Sequence, residues 1–257
     1  MNFLSLSYLL LSLWAVPLFS YAQIPAQYKI GIENIEYLPF FDASPDANHV
    51  TGYTVELFAS FFQQQQAALS YSRLPLKRLF KTFLYEDTLD FKFPDSPLWK
   101  PQLRLDKTIY YSLPIANITN GLVINRNNAP ATINHINSIG TIRGIRPAPY
   151  LAYVESGRIQ HIEFSHINDL LNALLAKRID AAYLSKNVAH HHIQQYFIEQ
   201  KTQLSFADNL PLEDEIFYLS SKQHPTIIKK LNHFLRHNPE IIKKLADHYQ
   251  LTPLRYQ

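Results

Sequence analysis

The sequence lacks several of the residues and patterns on which common functional sites depend. It contains no cysteine and only six glycines among its 257 residues. Disulfides, thiolate metal sites, cysteine nucleophiles and lipid attachment to a cysteine are therefore excluded, and we do not expect a glycine-rich phosphate-binding loop. The His-Glu-x-x-His and Gly-x-Ser-x-Gly motifs of metalloproteases and serine hydrolases are absent as well.

Charge of one sign is also scarce. The chain carries 24 basic and 21 acidic side chains, a formal net charge of +3, and no run of like charges. Without a basic stripe to follow a phosphate backbone, nucleic acid is not an expected partner. The hydrophobic content of 47% is instead typical of compact globular units with a sizeable core.

The N-terminus reads as an export signal. The first 22 residues carry no charged side chain, and an almost wholly apolar stretch, 3–19, leads to the small-residue ending Ser20-Tyr21-Ala22. This pattern predicts a secretory signal peptide cleaved after Ala22. The alternative is an uncleaved anchor, because about 17 apolar residues are close to the shortest length that spans a bilayer.

Strand-like and helix-like segments alternate along the rest of the chain. The alternating segments 28–32 and 138–142 predict strands. Apolar residues at helical spacing predict helices at 76–84 and 147–155, and give the most regular amphipathic stripe between Ile167 and Leu175. The repeated strand–helix–strand order predicts an α/β fold.

With these elements, the sequence resembles the bacterial extracellular solute-binding protein family 3, the periplasmic binding proteins of amino-acid-type uptake systems. The resemblance covers nearly all of the chain after the signal. The matching stretches are Tyr37-Leu38-Pro39-Phe40-Phe41 with Gly52 to Leu57, Ile109 to Pro114 with Gly121 to Ile124, Ile139 to Gly144, Leu174 to Tyr183, and Phe217 to Ser220 with the terminal helices.

The resemblance implies a two-lobed α/β fold of the type II periplasmic-binding kind, in which each lobe is a sheet flanked by helices. The expected divisions are the signal peptide at 1–22, the first part of lobe 1 at 23–116, lobe 2 at 117–213, and a return segment of lobe 1 at 214–257. It also implies a periplasmic location.

The sequence departs from the family pattern at two places that bear on the ligand. The loop that usually supplies serine, threonine and a carboxylate-binding arginine reads Pro94-Asp95-Ser96-Pro97-Leu98-Trp99-Lys100, so Lys100 or Arg104 would have to replace that arginine. The family's ammonium-binding acid falls at about Ser185. An ordinary α-amino acid is therefore not the expected ligand.

Ligand contacts are expected on loops that follow strands, where helix N-termini and strand ends of both lobes meet. Arg143 or Arg146 would hold a carboxylate through paired hydrogen bonds, although both are also plausible as solvated arginines. Aromatic walls, or alternatively core packing, are expected from three rings: Tyr37, Phe40 and Trp99. The remaining candidates are Asp95, Lys100 and Ser185.

The sequence thus predicts an exported, monomeric, non-enzymatic protein that closes two lobes around a small polar, carboxylate-bearing solute for an uptake transporter or sensor. No cofactor is expected. No metal is expected either, because consecutive side chains such as His190, His191 and His192 point about 100° apart on a helix. Two alternatives stay open: a dehydratase-like enzyme on the same fold, with Asp95 or Glu36 as its titratable group, and a degenerate lobe pair that serves as an interaction module.

Overall fold

A computed structural model describes residues 26–126 and 132–256. The predicted signal peptide, 1–22, lies outside the described residues. None of the described helices is both long and apolar enough to cross a membrane.

Strands and helices alternate along the described chain, as the hydrophobic pattern predicts. The strands are β1 (Gln27–Glu33), β2 (Glu36–Tyr37), β3 (Phe41–Asp42), β4 (Ala68–Leu74), β5 (Phe91–Asp95), β6 (Tyr110–Tyr111), β7 (Ala116–Asn125), β8 (Ser138–Ile142), β9 (Gln160–Phe164), β10 (Ala181–Ser185), β11 (Leu204–Phe206) and β12 (Glu213–Ser221). The helices are α1 (Tyr53–Gln64), α2 (Leu76–Tyr85), α3 (Leu151–Glu155), α4 (Ile167–Leu175), α5 (Lys186–Tyr196), α6 (Pro225–His237) and α7 (Pro239–His248).

The main sheet consists of two parallel groups that an antiparallel pair connects. Its strand order is β4-β1-β5-β12-β7-β10-β8-β9. In the first group β1 runs parallel to β4 and β5, and in the second β8 runs parallel to β9 and β10. The antiparallel strands β7 and β12 lie between the groups. The first part of β12 pairs with β7, and its last part pairs with β5 and β6.

Aromatic side chains fill much of the core of the first group. The helix α1 buries Phe58, Phe61 and Phe62 on one face, and Phe58 packs edge-to-face against Phe93 of β5 with ring centroids 5.1 Å apart. Each ring buried in this way removes a large apolar area from water. In the second group α4 buries the leucines of its amphipathic stripe, as that stripe predicts.

The structure departs from the sequence-based expectation in three elements. The strands β4 and β11 were not predicted, and the helix expected at 147–155 is regular only from Leu151. The preceding residues, Ala148–Tyr150, form a 3-10 turn that contains Pro149. Proline cannot donate a backbone hydrogen bond, which explains the delayed start of the α-helix.

Gly52 lies directly before α1, where the backbone of Phe40 and Phe41 packs closely against it. Its φ is +113°, and a Cβ atom there would lie 2.6 Å from the Cα of Phe41 and 2.7 Å from the carbonyl oxygen of Phe40. We expect Gly52→Ala to lower the free energy of unfolding by about 2 kcal/mol or more, because strain and steric overlap add. Urea unfolding measures the change.

Gly157→Ala is the matched control, since Gly157 also has a positive φ, +74°, but has no atom within 4 Å of an added Cβ. Its loss should be about 1 kcal/mol. Equal losses in the two variants would show that Gly52 is not sterically required.

Candidate functional site

The carboxyl ends of the parallel strands supply the candidate site. In the first group β1 ends at Glu33 and β5 at Asp95, and in the second β10 ends at Ser185. Ligands of open α/β sheets bind outside these strand ends, where backbone groups and loop side chains are left free. Tyr37, on the short strand β2 that follows β1, lies close enough to Ser185 to interact with it. The ends of the two groups therefore meet.

A row of polar side chains crosses three neighbouring strands. Asn120 of β7 is the register partner of Ser185 on one side and of Glu213 on the other. Side chains of directly paired residues project to the same face of a sheet, at strand spacings of about 4.8 Å. Glu215 shares that face, because it lies two residues after Glu213 on β12. We call Ser185, Asn120, Glu213 and Glu215 the polar row.

Neutral donors surround the two carboxylates of the polar row. Glu215 accepts hydrogen bonds from the Trp99 indole Nε1 at 2.8 Å and from the Asn120 Nδ2 at 2.8 Å. Glu213 accepts a short hydrogen bond from the hydroxyl of Tyr183. Among the described residues, no lysine, arginine or histidine nitrogen lies within 4.0 Å of either carboxylate. Burial, together with the charge of Glu215, raises the pKa of Glu213.

Tyr37 lies opposite the polar row and is 7% exposed. Burial, strengthened by the charge of Glu215, raises the pKa of its phenol, so the ring is neutral throughout the physiological range. Ser185 is 1% exposed, and no partner lies within hydrogen-bond distance of its hydroxyl, which interacts with the Tyr37 phenol from farther away. Although Ser185 precedes α5, its side chain does not cap the helix. The Ser185 hydroxyl therefore makes no close hydrogen bond in the site.

Glu33 adds a third carboxyl group near Tyr37. It is 8% exposed, and burial raises its pKa to about 7, an effect that the charge of Lys92 partly offsets. A carboxyl group with this pKa exchanges a proton near neutral pH.

Asp95 organises a buried ion cluster beside the site. Its carboxylate is fully buried and accepts hydrogen bonds from both terminal nitrogens of Arg104, at 3.0 and 2.7 Å. It also accepts from Lys92 at 3.0 Å and from the Ser220 hydroxyl at 2.6 Å. Burial alone would raise the pKa of Asp95, but Lys92 and Arg104 hold it below its usual value.

This cluster engages Arg104, one of the two residues expected to replace the family's carboxylate-binding arginine, and also Lys92, which the sequence did not indicate. Arg104 also donates from Nε to the Trp99 carbonyl oxygen at 2.7 Å and from Nη1 to the Tyr111 hydroxyl at 2.7 Å. Lys92 also donates to the carbonyl oxygen of Pro94 at 2.5 Å. The guanidinium of Arg104 is thus bound on several sides by groups of the protein itself.

The structure brings together some of the sequence-predicted site residues and separates others. Ser185 belongs to the polar row, Tyr37 and Trp99 adjoin it, and Asp95 is the centre of the neighbouring ion cluster. Phe40 is 2% exposed and packs against Phe217, which agrees with its alternative assignment to the core.

The basic candidates lie at the surface. Lys100 is exposed with its ammonium 5.5 Å from the ring centroid of Phe80, and Arg143 is exposed as well. Arg146 is exposed and forms an ion pair with Glu155 at 3.3 Å. The structure therefore gives Arg146 a partner other than a ligand.

Sequence reasoning missed four residues of this region: Glu33, Asn120, Glu213 and Glu215. The acidic residues at alternate positions of β12 are a weak signal on their own. Their importance follows from the register of three strands that lie far apart in the sequence.

The ion cluster should contribute strongly to stability. We expect Asp95→Asn to lower the free energy of unfolding by about 3–5 kcal/mol, because two buried cations lose their counter-charge. Asp106→Asn is the control, since the side chain of Asp106 is 80% exposed, and it should change stability by less than about 0.5 kcal/mol. Urea unfolding at neutral pH measures both, and a similar small effect in both would contradict the assigned role of Asp95.

Comparison with known proteins establishes the fold and leaves the family open. No family model matches the chain, and no curated protein matches it. Several solved structures match it in fold. An arginine transport system periplasmic binding protein from Legionella pneumophila is 16% identical over 87% of this chain and 99% of its own, with a TM-score of 0.66. The GluR0 ligand-binding core in complex with L-glutamate is 14% identical over 89% and 99%, with a TM-score of 0.67.

A third similar structure is an ancestral amino-acid-binding protein described as a precursor of cyclohexadienyl dehydratase. It is 13% identical over 87% of this chain and 95% of its own, with a TM-score of 0.67. At these identities the likeness shows the fold alone. The chain has the two-lobed α/β fold of type II periplasmic binding proteins, as the sequence predicts.

Proposed function

We propose that the chain is an exported solute-binding protein that closes its two lobes around a small polar solute and delivers it to an uptake transporter or a sensor. The polar row carries this proposal: Ser185 of the second group, Asn120 and Glu213 of the connecting strands, and Tyr37 of the first group converge on one place. Convergence from both lobes is what a hinge-closing binding protein requires.

The similar structures support an amino-acid-like solute, because their descriptions name arginine and L-glutamate. The carboxylate of such a solute would bind Arg143, which lies directly after β8. Among the described residues, no carboxylate oxygen is within 4.0 Å of its guanidinium. The segment at 1–22 supports export to the periplasm, and we propose a monomer divided at the lobe boundaries predicted above.

A thermal-shift screen of the exported protein tests the proposal, and sequencing its N-terminus reports whether cleavage follows Ala22. The panel consists of amino acids, other carboxylates, amines and short peptides. A solute that binds only the folded state should raise the melting temperature by several degrees through mass action. The response should be restricted to one chemical class.

Trp99→Ala should reduce that response, because it removes the indole that adjoins the polar row. Leu98→Ala is the control, since its side chain projects into solvent and is 84% exposed. No shift with any member of the panel would contradict solute binding and favour the interaction module.

An enzyme on the same fold is the second candidate, and one observation favours it. Glu33 is buried at the end of β1 with a pKa of about 7, which suits a general acid or base. Asp95 is less suited, because its carboxylate is held ionised by two cations. Consumption of a panel member without a stable complex, abolished by Glu33→Gln, would establish the enzyme.

Glu33 also gives a pH-dependent prediction that holds for either function. Its pKa rises from 4.5 to about 7 on folding, so the folded chain binds the proton more tightly than the unfolded chain. Stability should therefore fall as the pH rises through 4.5 to 7, by about 3 kcal/mol in total. Glu33→Gln should remove this component and be the more stable protein at pH 8.

Urea unfolding of both proteins at pH 4 and pH 8 measures the difference. If the two stabilities change in parallel between these pH values, the carboxyl group of Glu33 does not have the raised pKa.

A further inference from the structure

The charge balance around the polar row leaves two carboxylates without a counter-ion. Glu213 and Glu215 are partly buried, and within 26–126 and 132–256 they accept hydrogen bonds only from Tyr183, Trp99 and Asn120, all of which are neutral donors. Partial burial makes an uncompensated carboxylate costly, and the raised pKa of Glu213 reflects this cost. A cation at this place would remove it.

The two cations of the ion cluster are engaged by Asp95. Lys92 and Arg104 both bind Asp95, at 3.0 and 2.7 Å respectively. The remaining positive charge of that cluster faces Glu33, whose carboxyl group interacts electrostatically with Lys92. Neither cation lies within salt-bridge distance of Glu213 or Glu215.

Hydrogen-bonding capacity is left over as well. A carboxylate accepts about four hydrogen bonds, whereas Glu213 accepts one and Glu215 two from the described residues. Ser185 is 1% exposed, and its hydroxyl has no partner within hydrogen-bond distance, only the more distant Tyr37 phenol. It lies on the same face of the sheet as Asn120, one strand away, and Glu213, two strands away. Buried hydroxyl groups are nearly always hydrogen-bonded, so this one has the capacity for a closer partner.

Aromatic rings border the same place. Tyr37 is within electrostatic range of both Glu215 and Tyr183, and the indole N–H of Trp99 donates a hydrogen bond to Glu215. Trp99 thus presents its N–H edge to the polar row, while the Lys92 ammonium lies 5.2 Å from the centroid of its ring. The rings therefore border the place, and the charge preference comes from the two carboxylates.

Resting on the proposed solute-binding function, we propose that the solute is an organic cation whose amino or guanidinium group binds Glu213 and Glu215 and hydrogen-bonds to the hydroxyl of Ser185. The carboxylates provide the charge, and Ser185 provides an uncharged acceptor at the end of the row. A solute with a carboxylate but no cationic group is excluded from this place by the negative charge.

Isothermal titration calorimetry with five probes tests the charge preference. Agmatine and 1,4-diaminobutane carry cations without a carboxylate, L-arginine and L-glutamate carry both groups, and succinate carries carboxylates alone. At least one of the amine-bearing probes should bind, and succinate should not. If succinate binds and the amines do not, solute binding stands and the cation proposal is wrong.

The double variant Glu213→Gln/Glu215→Gln assigns the binding group. It should weaken the bound amine by about tenfold or more, because charge-assisted hydrogen bonds are lost while neutral ones remain. Ser185→Ala should weaken it by a smaller factor. Asp214→Asn is the matched control, because Asp214 is exposed on the opposite face of β12. Its carboxylate accepts a hydrogen bond from the Thr119 hydroxyl at 2.7 Å. This substitution should leave the affinity unchanged.

Circular dichroism and the melting temperature confirm that each variant is folded. An unchanged affinity in the folded double variant overturns the assignment to the polar row. If none of the five probes binds while the wider thermal-shift panel yields a ligand, this inference is wrong and the proposed solute-binding function stands.

Discussion

The pairing of β12 with strands of both parallel groups is the constraint on which the rest of the structure depends. Its first part is in register with β7, and its last part pairs with β5 and β6, with an irregularity between Tyr218 and Ser220. One strand therefore places Glu213 and Glu215 in the polar row and Ser220 against the carboxylate of Asp95. The ion cluster and the polar row therefore both depend on the register of β12.

The ion cluster determines which charges the site can offer. A buried carboxylate with two cations is stable only as a complete unit, since loss of one partner leaves an uncompensated charge. Because Asp95 holds Lys92 and Arg104, these two cations do not pair with Glu33 at the carboxyl end of β1 or with Glu213 and Glu215 at the start of β12. The same contacts that secure β5 thus give the neighbouring site its negative character.

The sequence predicts the regular elements well and the long-range pairing poorly. The helix α4 was evident because its leucines recur at helical spacing, and the resemblance to a known family placed Tyr37, Trp99 and Ser185 on loops after strands. The strand β4 was missed because none of its residues is buried and its hydrophobic alternation is weak. Arg146 was chosen for its position after β8, but its guanidinium pairs with Glu155 on α3.

The residue that most weakened the expectation of an amine-bearing ligand is also the one whose surroundings restore it. Ser185 occupies the position where an ammonium-binding acid was expected, and taken alone it removes a charge. Across the sheet, however, Ser185, Asn120 and Glu213 form one row, so a carboxylate lies two strands away on the same face. Two strand spacings make about 10 Å, a separation that the long Glu213 side chain and the several donors of an amino or guanidinium group would span together. The negative charge is thus supplied by β12, which no comparison of residues at position 185 alone would reveal.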